Sequence, residues 1–342
     1  MTDPLTKLLQ EKDFILGDGA MGTNLFDLGL ANGEPGEMWN LDRPELIAQV
    51  YQGFVDAGSE IILTNTFGAN KFRFMLHSDP EQVQDVNIAA ARIARDVVES
   101  CGRAVIVAGS MGPTGEMLEP YGERPAIEVE EAFYEQAMAL KQGGVDIIWI
   151  ETMFFEDEID AAAKAVERAG LAYVQTMTFD TNGCTMMGLK PQDAPQLKRE
   201  RKWKSIAFGA NCGVGPSQLV DTILGISDNS EPEDVIVAKA NCGIPQMGTD
   251  MKIAYDGTPE IMANYACMAR DAGARIIGGC CGTRPVHIAA MRQALDTRAR
   301  SKKPSHEQIQ ETLGEVTKTS KEEGKQKRKR AGARHRANPT QT

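Results

Sequence analysis

No apolar run in the sequence reaches the roughly 18 residues that a membrane-spanning helix needs, so a transmembrane protein is not expected. The opening Met1-Thr2-Asp3-Pro4 lacks the charged and apolar regions of a secretory leader, and the cytoplasm is the expected compartment. Histidine is scarce: there are four, two of them beyond residue 300. A metal centre in the body of the chain must therefore lean on thiolates or carboxylates. The seven cysteines, at 101, 184, 212, 242, 267, 280 and 281, are odd in number and widely spaced in a long chain. That is a poor disulfide framework, and in a reducing compartment such cysteines are core fillers or chemically active groups.

What is present is enough for one large core. The 342 residues are 42% hydrophobic and 25% charged, which suits a single barrel of about 250 residues or more. The net charge of -11 conceals an asymmetry. Residues 301–342 carry eleven Lys/Arg against five Glu, a balance of +6, so residues 1–300 stand at -17. The acidic body argues against nucleic-acid binding by the fold itself. The cluster Lys325-Gln326-Lys327-Arg328-Lys329-Arg330 lies among few large apolar residues. Residues 301–342 therefore read as a disordered, solvated basic tail, with contact to nucleic acid or a membrane surface as the sharper alternative.

Eight short runs rich in Ile and Val recur along the body: Phe14 to Leu16, Ile61 to Thr66, Ala104 to Ala108, Asp146 to Ile150, Ala172 to Phe179, Ser205 to Ala210, Val235 to Ala240 and Ala274 to Ile277. Near-continuous apolar strands are the mark of a parallel sheet covered on both faces. Amphipathic helical stretches alternate with them, at Pro44 to Ala57, Pro80 to Ser100, Val129 to Gln142, Glu156 to Ala169, Gln218 to Ile226, Pro259 to Ala272 and Pro285 to Ala299. Several end at glycine, as a helix feeding a strand does. Segment 187–204 is polar and predicts a short or irregular helix. Eight even strand–helix units favour a closed (β/α)8 TIM barrel over residues 1–300, against an open doubly wound sheet. The long loops 111–127 and 243–258 follow strands, so they belong to the face where barrel active sites are built.

The run Gly278-Gly279-Cys280-Cys281-Gly282 closes the eighth strand. Neighbouring side chains on a regular strand point to opposite faces; for both thiols to reach one point the strand must break, and glycine permits that. Cys212 closes the sixth strand. All strand tops of a barrel converge on one mouth, so Cys212, Cys280 and Cys281 read as a soft-ligand site suited to zinc, with a fourth position open to substrate. Cys242 closes the seventh strand and is either a fourth ligand, which would suit a closed structural zinc, or a near neighbour. Asp18, Asn65 and Glu151 are polar groups at the ends of the first, second and fourth strands. Singly, each is as well read as a cap for a helix or loop. Together, two acids near a zinc–thiolate site form a pocket for a cation, and a thiol carrying an ammonium is an amino-acid thiol.

These residues resemble the homocysteine S-methyltransferase family. The matching motifs are Asp18-Gly19-Ala20-Met21-Gly22-Thr23, Thr64-Asn65-Thr66-Phe67, Gly109-Ser110-Met111-Gly112-Pro113-Thr114, Glu151-Thr152, Gly209-Ala210-Asn211-Cys212 and Gly278 to Gly282, spread over residues 10–299. The resemblance implies a zinc (β/α)8 barrel that moves a methyl group onto homocysteine to give methionine. It implies zinc on Cys212, Cys280 and Cys281, the homocysteine amino group on Asp18 and Glu151, Gly19 against the amino acid, and Asn211 shaping the metal site. The family usually carries a small residue near position 242, so Cys242 is a departure. Within the family the chain looks like bacterial betaine–homocysteine methyltransferases and the homocysteine domain of cobalamin-dependent methionine synthase, which makes betaine the first expected donor. Animal betaine enzymes place tyrosines where this chain has Gly68 and Thr152, so a cage for a quaternary ammonium has to come from Phe67, Phe72, Tyr121, Phe154, Phe155 or Tyr255. A sulfonium such as S-methylmethionine, or a methyl-corrinoid on a separate partner protein, is the alternative donor. A non-catalytic zinc scaffold or sensor is the alternative class.

Overall fold

The computed structural model describes residues 3–180, 182–247 and 253–315. The strands are β1 (Ile15–Leu16), β2 (Ile61–Leu63), β3 (Ile106–Met111), β4 (Ile147–Met153), β5 (Tyr173–Met177), β6 (Ala207–Cys212), β7 (Ile236–Ala240), β8 (Pro245–Met247), β9 (Ile253–Tyr255) and β10 (Ala274–Gly279). Eight of them form one parallel sheet in the order β1-β10-β7-β6-β5-β4-β3-β2, surrounded by helices. This is the expected (β/α)8 barrel, nearly closed. The remaining seam, between β1 and β2, is held by Glu60 and Asp18. The Glu60 N–H donates to Leu16 O at 2.7 Å, and Glu60 Oε2 accepts the Leu16 N–H at 3.1 Å. Higher up, Asp18 Oδ2 accepts the Leu63 N–H at 2.7 Å.

The barrel interior is filled by Ile15, Ile61, Leu63, Ile106, Ala108, Ile147, Trp149, Val174, Ala207, Val237 and Ile276. Leu5 and Leu9 join them from helix Pro4–Glu11, which the strand-based reading did not include. That helix starts where Asp3 accepts the Thr6 N–H at 2.8 Å and Pro4 supplies a preset φ. It stops the N-terminal end of the barrel, leaving the strand C-termini as the open face. A larger apolar shell lies between sheet and outer helices. The helices Pro44–Asp56, Val83–Ser100, Ala126–Gly143, Glu156–Ala169, Pro216–Ser227, Pro259–Ala272 and Pro285–Thr297 stand within a few residues of their expected bounds. The polar segment 187–204 holds a short 3-10 turn and helix Ala194–Arg201.

Two expectations change. The loop 243–258 contains an antiparallel hairpin, β8 paired with β9. The chain also does not leave the fold at residue 300. Helix His306–Leu313 is capped by Ser305 and Gln308 in a reciprocal box, and Ile309 is fully buried. Lys303 pairs with Asp228 at 2.6 Å, and Ser217 Oγ donates to Glu315 O at 3.2 Å. One apolar anchor and a good cap outweigh the polar composition there. The basic cluster 325–330 lies outside the described residues. Among the described residues no helix is long and apolar enough to cross a membrane.

Candidate active site

The sulfurs of Cys212, Cys280 and Cys281 lie within 4.8 Å of one another at the barrel mouth, each partly exposed. Cys212 Sγ and Cys281 Sγ are 4.0 Å apart. Zinc–thiolate bonds of about 2.3 Å in a tetrahedron separate sulfurs by roughly 3.8 Å, so the donor set fits a tetrahedral zinc with little adjustment. Cys242 does not belong to this group. It is buried and donates to Gly257 O at 3.2 Å, and burial pushes its thiol up to about 11. This fits the neighbour alternative rather than the fourth ligand.

The thiols reach one point by two devices. Cys280 to Thr283 form a turn closed by the Thr283 N–H on Cys280 O at 3.1 Å, with Gly282 at φ +80°. A positive φ at the third turn position suits glycine. Gly278 and Gly279 remain in β10, and neither has a positive φ. They are needed for space: a Cβ on Gly278 would stand 3.0 Å from Asp18 O, and one on Gly279 would stand 2.3 Å from Thr283 Cγ2. The strand therefore breaks after the paired glycines, at the cysteines themselves. On β6 the left-handed residue is Cys212, at φ +63°, a conformation that costs energy in a non-glycine residue. The Cys280 sulfur favours the Cys212 thiolate, but the Cys281 sulfur and then burial outweigh it and push the Cys212 thiol up to about 12.

Asn211 organises the space between β4, β5 and β6. Its Oδ1 accepts the Thr152 N–H and the Thr176 hydroxyl, both at 2.8 Å. Its Nδ2 donates to Thr152 Oγ1 at 2.7 Å and lies 3.7 Å from Cys280 Sγ. A hydrogen bond onto a ligand atom is how an outer residue orients a metal site. Asn241 donates to Gly213 O at 2.7 Å, and among the described residues its buried Oδ1 has no hydrogen-bond partner.

The two acids are buried, and a residue absent from the expected set joins them. Asp18 Oδ1 accepts a 2.6 Å hydrogen bond from Lys239 Nζ, and the Lys239 side chain is 3% exposed. The ammonium also lies 5.3 Å from the centre of the Trp149 ring. Burial works against the Lys239 charge, but Asp18 and then Glu151 outweigh it and raise its pKa. Burial likewise pushes the Asp18 and Glu151 carboxyls upward, and Lys239 is the largest influence holding each down. Glu151 Oε1 accepts from the Ser110 hydroxyl. Lys239 carried a readable signal, since a lysine inside a strand buried on both faces needs a partner.

Other expected residues divide. The Cβ side of Gly19 is filled by Thr283 O at 2.7 Å and Phe54 Cε1 at 2.8 Å, so packing alone requires glycine there. Asn65 turns its amide to Gly36 O and Asn40 Oδ1, at 2.8 and 3.1 Å, and anchors the segment over β2. Of the candidate cage rings, Phe67 lies against Gly112, Phe72 lies under the Arg124 guanidinium, and Tyr121 meets Phe155 edge to face at 5.9 Å. Phe154 packs against the outer core. Tyr255, on the hairpin, packs on Gly282, next to Cys281 in the chain.

The fold and site define a class: parallel (β/α)8 barrels with a cysteine cluster at the mouth beside a buried charged pocket. A family model described as homocysteine S-methyltransferase matches residues 15–295, and the chain belongs to that methyltransferase family. A methionine synthase from Mycobacterium tuberculosis (strain ATCC 25618 / H37Rv) is 30% identical over 313 residues, covering 86% of this chain and 25% of that protein. The methionine synthase of Mycobacterium leprae (strain TN) is 28% identical with the same coverage. The chain thus spans about a quarter of the length of the curated relatives it matches. The metallated form of the Escherichia coli homocysteine methyltransferase MmuM shares the fold, with a TM-score of 0.71, 24% identity, and coverage of 85% of this chain and 99% of that one.

Proposed function

We propose that this chain transfers a methyl group to the thiol of L-homocysteine, giving L-methionine, with zinc on Cys212, Cys280 and Cys281. One observation carries the reading: a three-sulfur cluster of zinc-compatible spacing shares the barrel mouth with two buried acids, Asp18 and Glu151. A sulfur at one end and an ammonium at the other are what homocysteine offers. The acid pocket takes the ammonium. Zinc, when bound, supplies a Lewis acid that favours the thiolate form of the substrate sulfur at neutral pH. Asn211 orients Cys280 and holds the β4 end in place. The stoppered barrel gives the sulfur one direction of approach, from the open face, and limits water around it. With the thiol proton already lost, no protein base is needed. The seven unpaired cysteines support a reducing compartment, the cytoplasm.

Two donors have support. A small onium compound, betaine first, is favoured by the Tyr255 ring packed on Gly282 next to Cys281, because an aromatic face attracts a methylated cation. A methyl-corrinoid carried by a separate protein is favoured by the likeness to one quarter of methionine synthases. The test is methionine formation from homocysteine by the zinc-loaded chain with betaine, S-methylmethionine or methylcobalamin. Turnover with at least one donor, abolished by chelation and restored by zinc, is expected. If none gives methionine, and homocysteine leaves the spectrum of the cobalt-substituted protein unchanged, a non-catalytic zinc scaffold or sensor is the better reading.

A further inference from the structure

Lys239 is unusual among the groups at the mouth because it is a cation where the proposed substrate brings another cation. Its ammonium is 2.6 Å from Asp18 Oδ1, while Asp18 Oδ2 is engaged by the Leu63 N–H at 2.7 Å. Both oxygens of Asp18 are therefore engaged before any ligand arrives. Glu151 differs: Oε1 accepts from Ser110, and among the described residues Oε2 has no hydrogen-bond partner. Two carboxylates and one buried ammonium leave a single uncompensated negative charge.

We propose that Lys239 is a positioning residue that sets the charge of the amino-acid pocket, neutralising Asp18 so that Glu151 alone receives the α-ammonium of homocysteine. This rests on the reading of the site as a homocysteine pocket. Asp18 then acts as the brace of the β1–β2 seam and the anchor of Lys239. Two neighbours hold the lysine in that place: the Trp149 ring beneath the ammonium, and the bare face of Gly278, where a Cβ would stand 3.1 Å from Lys239 Cγ.

The experiment compares two ligands on the zinc-loaded full chain by titration calorimetry: L-homocysteine and 4-mercaptobutanoate, which lacks only the amino group. The ratio of their dissociation constants reports the pocket's preference for an ammonium. Asp18→Asn leaves Lys239 opposite Glu151 and makes the pocket neutral, so the preference falls about tenfold or more. Lys239→Met makes the pocket doubly negative, so the preference holds or rises. The double variant restores one net negative charge and returns the ratio to within about threefold of wild type. A merely structural pair would move both single variants the same way, and that result overturns the inference. So does a double variant as impaired as Asp18→Asn, which would mean that Asp18 itself holds the ammonium. Should the single variants fail to fold, Glu151→Gln, with the pair intact, is expected to bring the preference close to unity; a retained preference overturns the inference. A wild-type chain that binds neither thiol refutes the homocysteine pocket itself, an outcome distinct from any of these.

Discussion

Replacing Asn211 with alanine tests whether the metal ligands depend on a hydrogen-bond hub. The side chain is fully buried. Its removal strands the Thr152 N–H and takes a partner from the Thr152 and Thr176 hydroxyls. The hydroxyls can rotate toward other acceptors; the N–H cannot. Three lost bonds at about 1 kcal/mol net each amount to about 3 kcal/mol. The Thr152 backbone adds to the effect, because its φ of +60° is held in part by that N–H. In a chain of this size such a loss lowers the thermal midpoint by about 5 °C.

The second consequence falls on the metal. Asn211 Nδ2 is 3.7 Å from Cys280 Sγ, and loss of an outer-sphere donor typically weakens metal binding about 10- to 100-fold. Asn211→Asp separates the two effects. It keeps the two hydrogen bonds that Oδ1 accepts but loses the Nδ2 donor to Thr152 Oγ1 and to sulfur, and adds a negative charge beside the thiolates. The aspartate variant should therefore recover much of the midpoint while still binding zinc more weakly. Scanning calorimetry reads the first quantity, and competition against a chromophoric chelator reads the second. An alanine variant melting within about 1 °C of wild type and binding zinc within about twofold would refute the hub.

Cys242→Ala should retain about one zinc per chain by elemental analysis, whereas Cys212→Ala should lose most of it; equal losses would make Cys242 a ligand. Ending the chain after residue 300 should cost about 2 kcal/mol or more, since Ile309 is fully buried, and lower the melting temperature by several degrees. An unchanged melt would mean that helix His306–Leu313 contributes nothing. Leu5→Ala in the helix that stoppers the barrel should cost about 2–5 kcal/mol in denaturant unfolding, with zinc stoichiometry unaltered; a loss of zinc would show that the stopper also shapes the mouth.

The barrel was legible because its strands are continuous Ile/Val runs and several of its helices end at glycines. Helix Pro4–Glu11 was harder to see: it offers only Leu5 and Leu9 as buried residues, and its partners are residues far along the chain. Helix His306–Leu313 carried a readable Ser-x-x-Gln cap but sat next to a basic stretch whose composition pointed to disorder. The three sulfurs could be placed by strand order alone. The Lys239–Asp18 pair could not, because the two residues are 221 positions apart. The lysine in Ile236-Val237-Ala238-Lys239-Ala240 announced only that some partner had to exist.

The positions of strain explain how so many groups face one mouth. On β6 the inward residues alternate to Asn211, so a regular strand would turn Cys212 outward. The left-handed φ at Cys212 brings it round beside Asn211. On β4 Glu151 ends the inward series, and Thr152 repeats the device at φ +60°, with the register against β5 shifting between Ile150 and Met153. Such an irregularity re-aims a side chain at the end of a strand. Thr152 then points its hydroxyl at Asn211, so the two strained residues are tied through one amide. On β10 the left-handed residue is a glycine, Gly282. The sequence shows a glycine readily, but it cannot show a threonine or cysteine held left-handed by a neighbour's side chain. The barrel thus presents consecutive residues to the same side at three strand ends, and at two of them Asn211 bonds the strained residue or neighbours it in the chain.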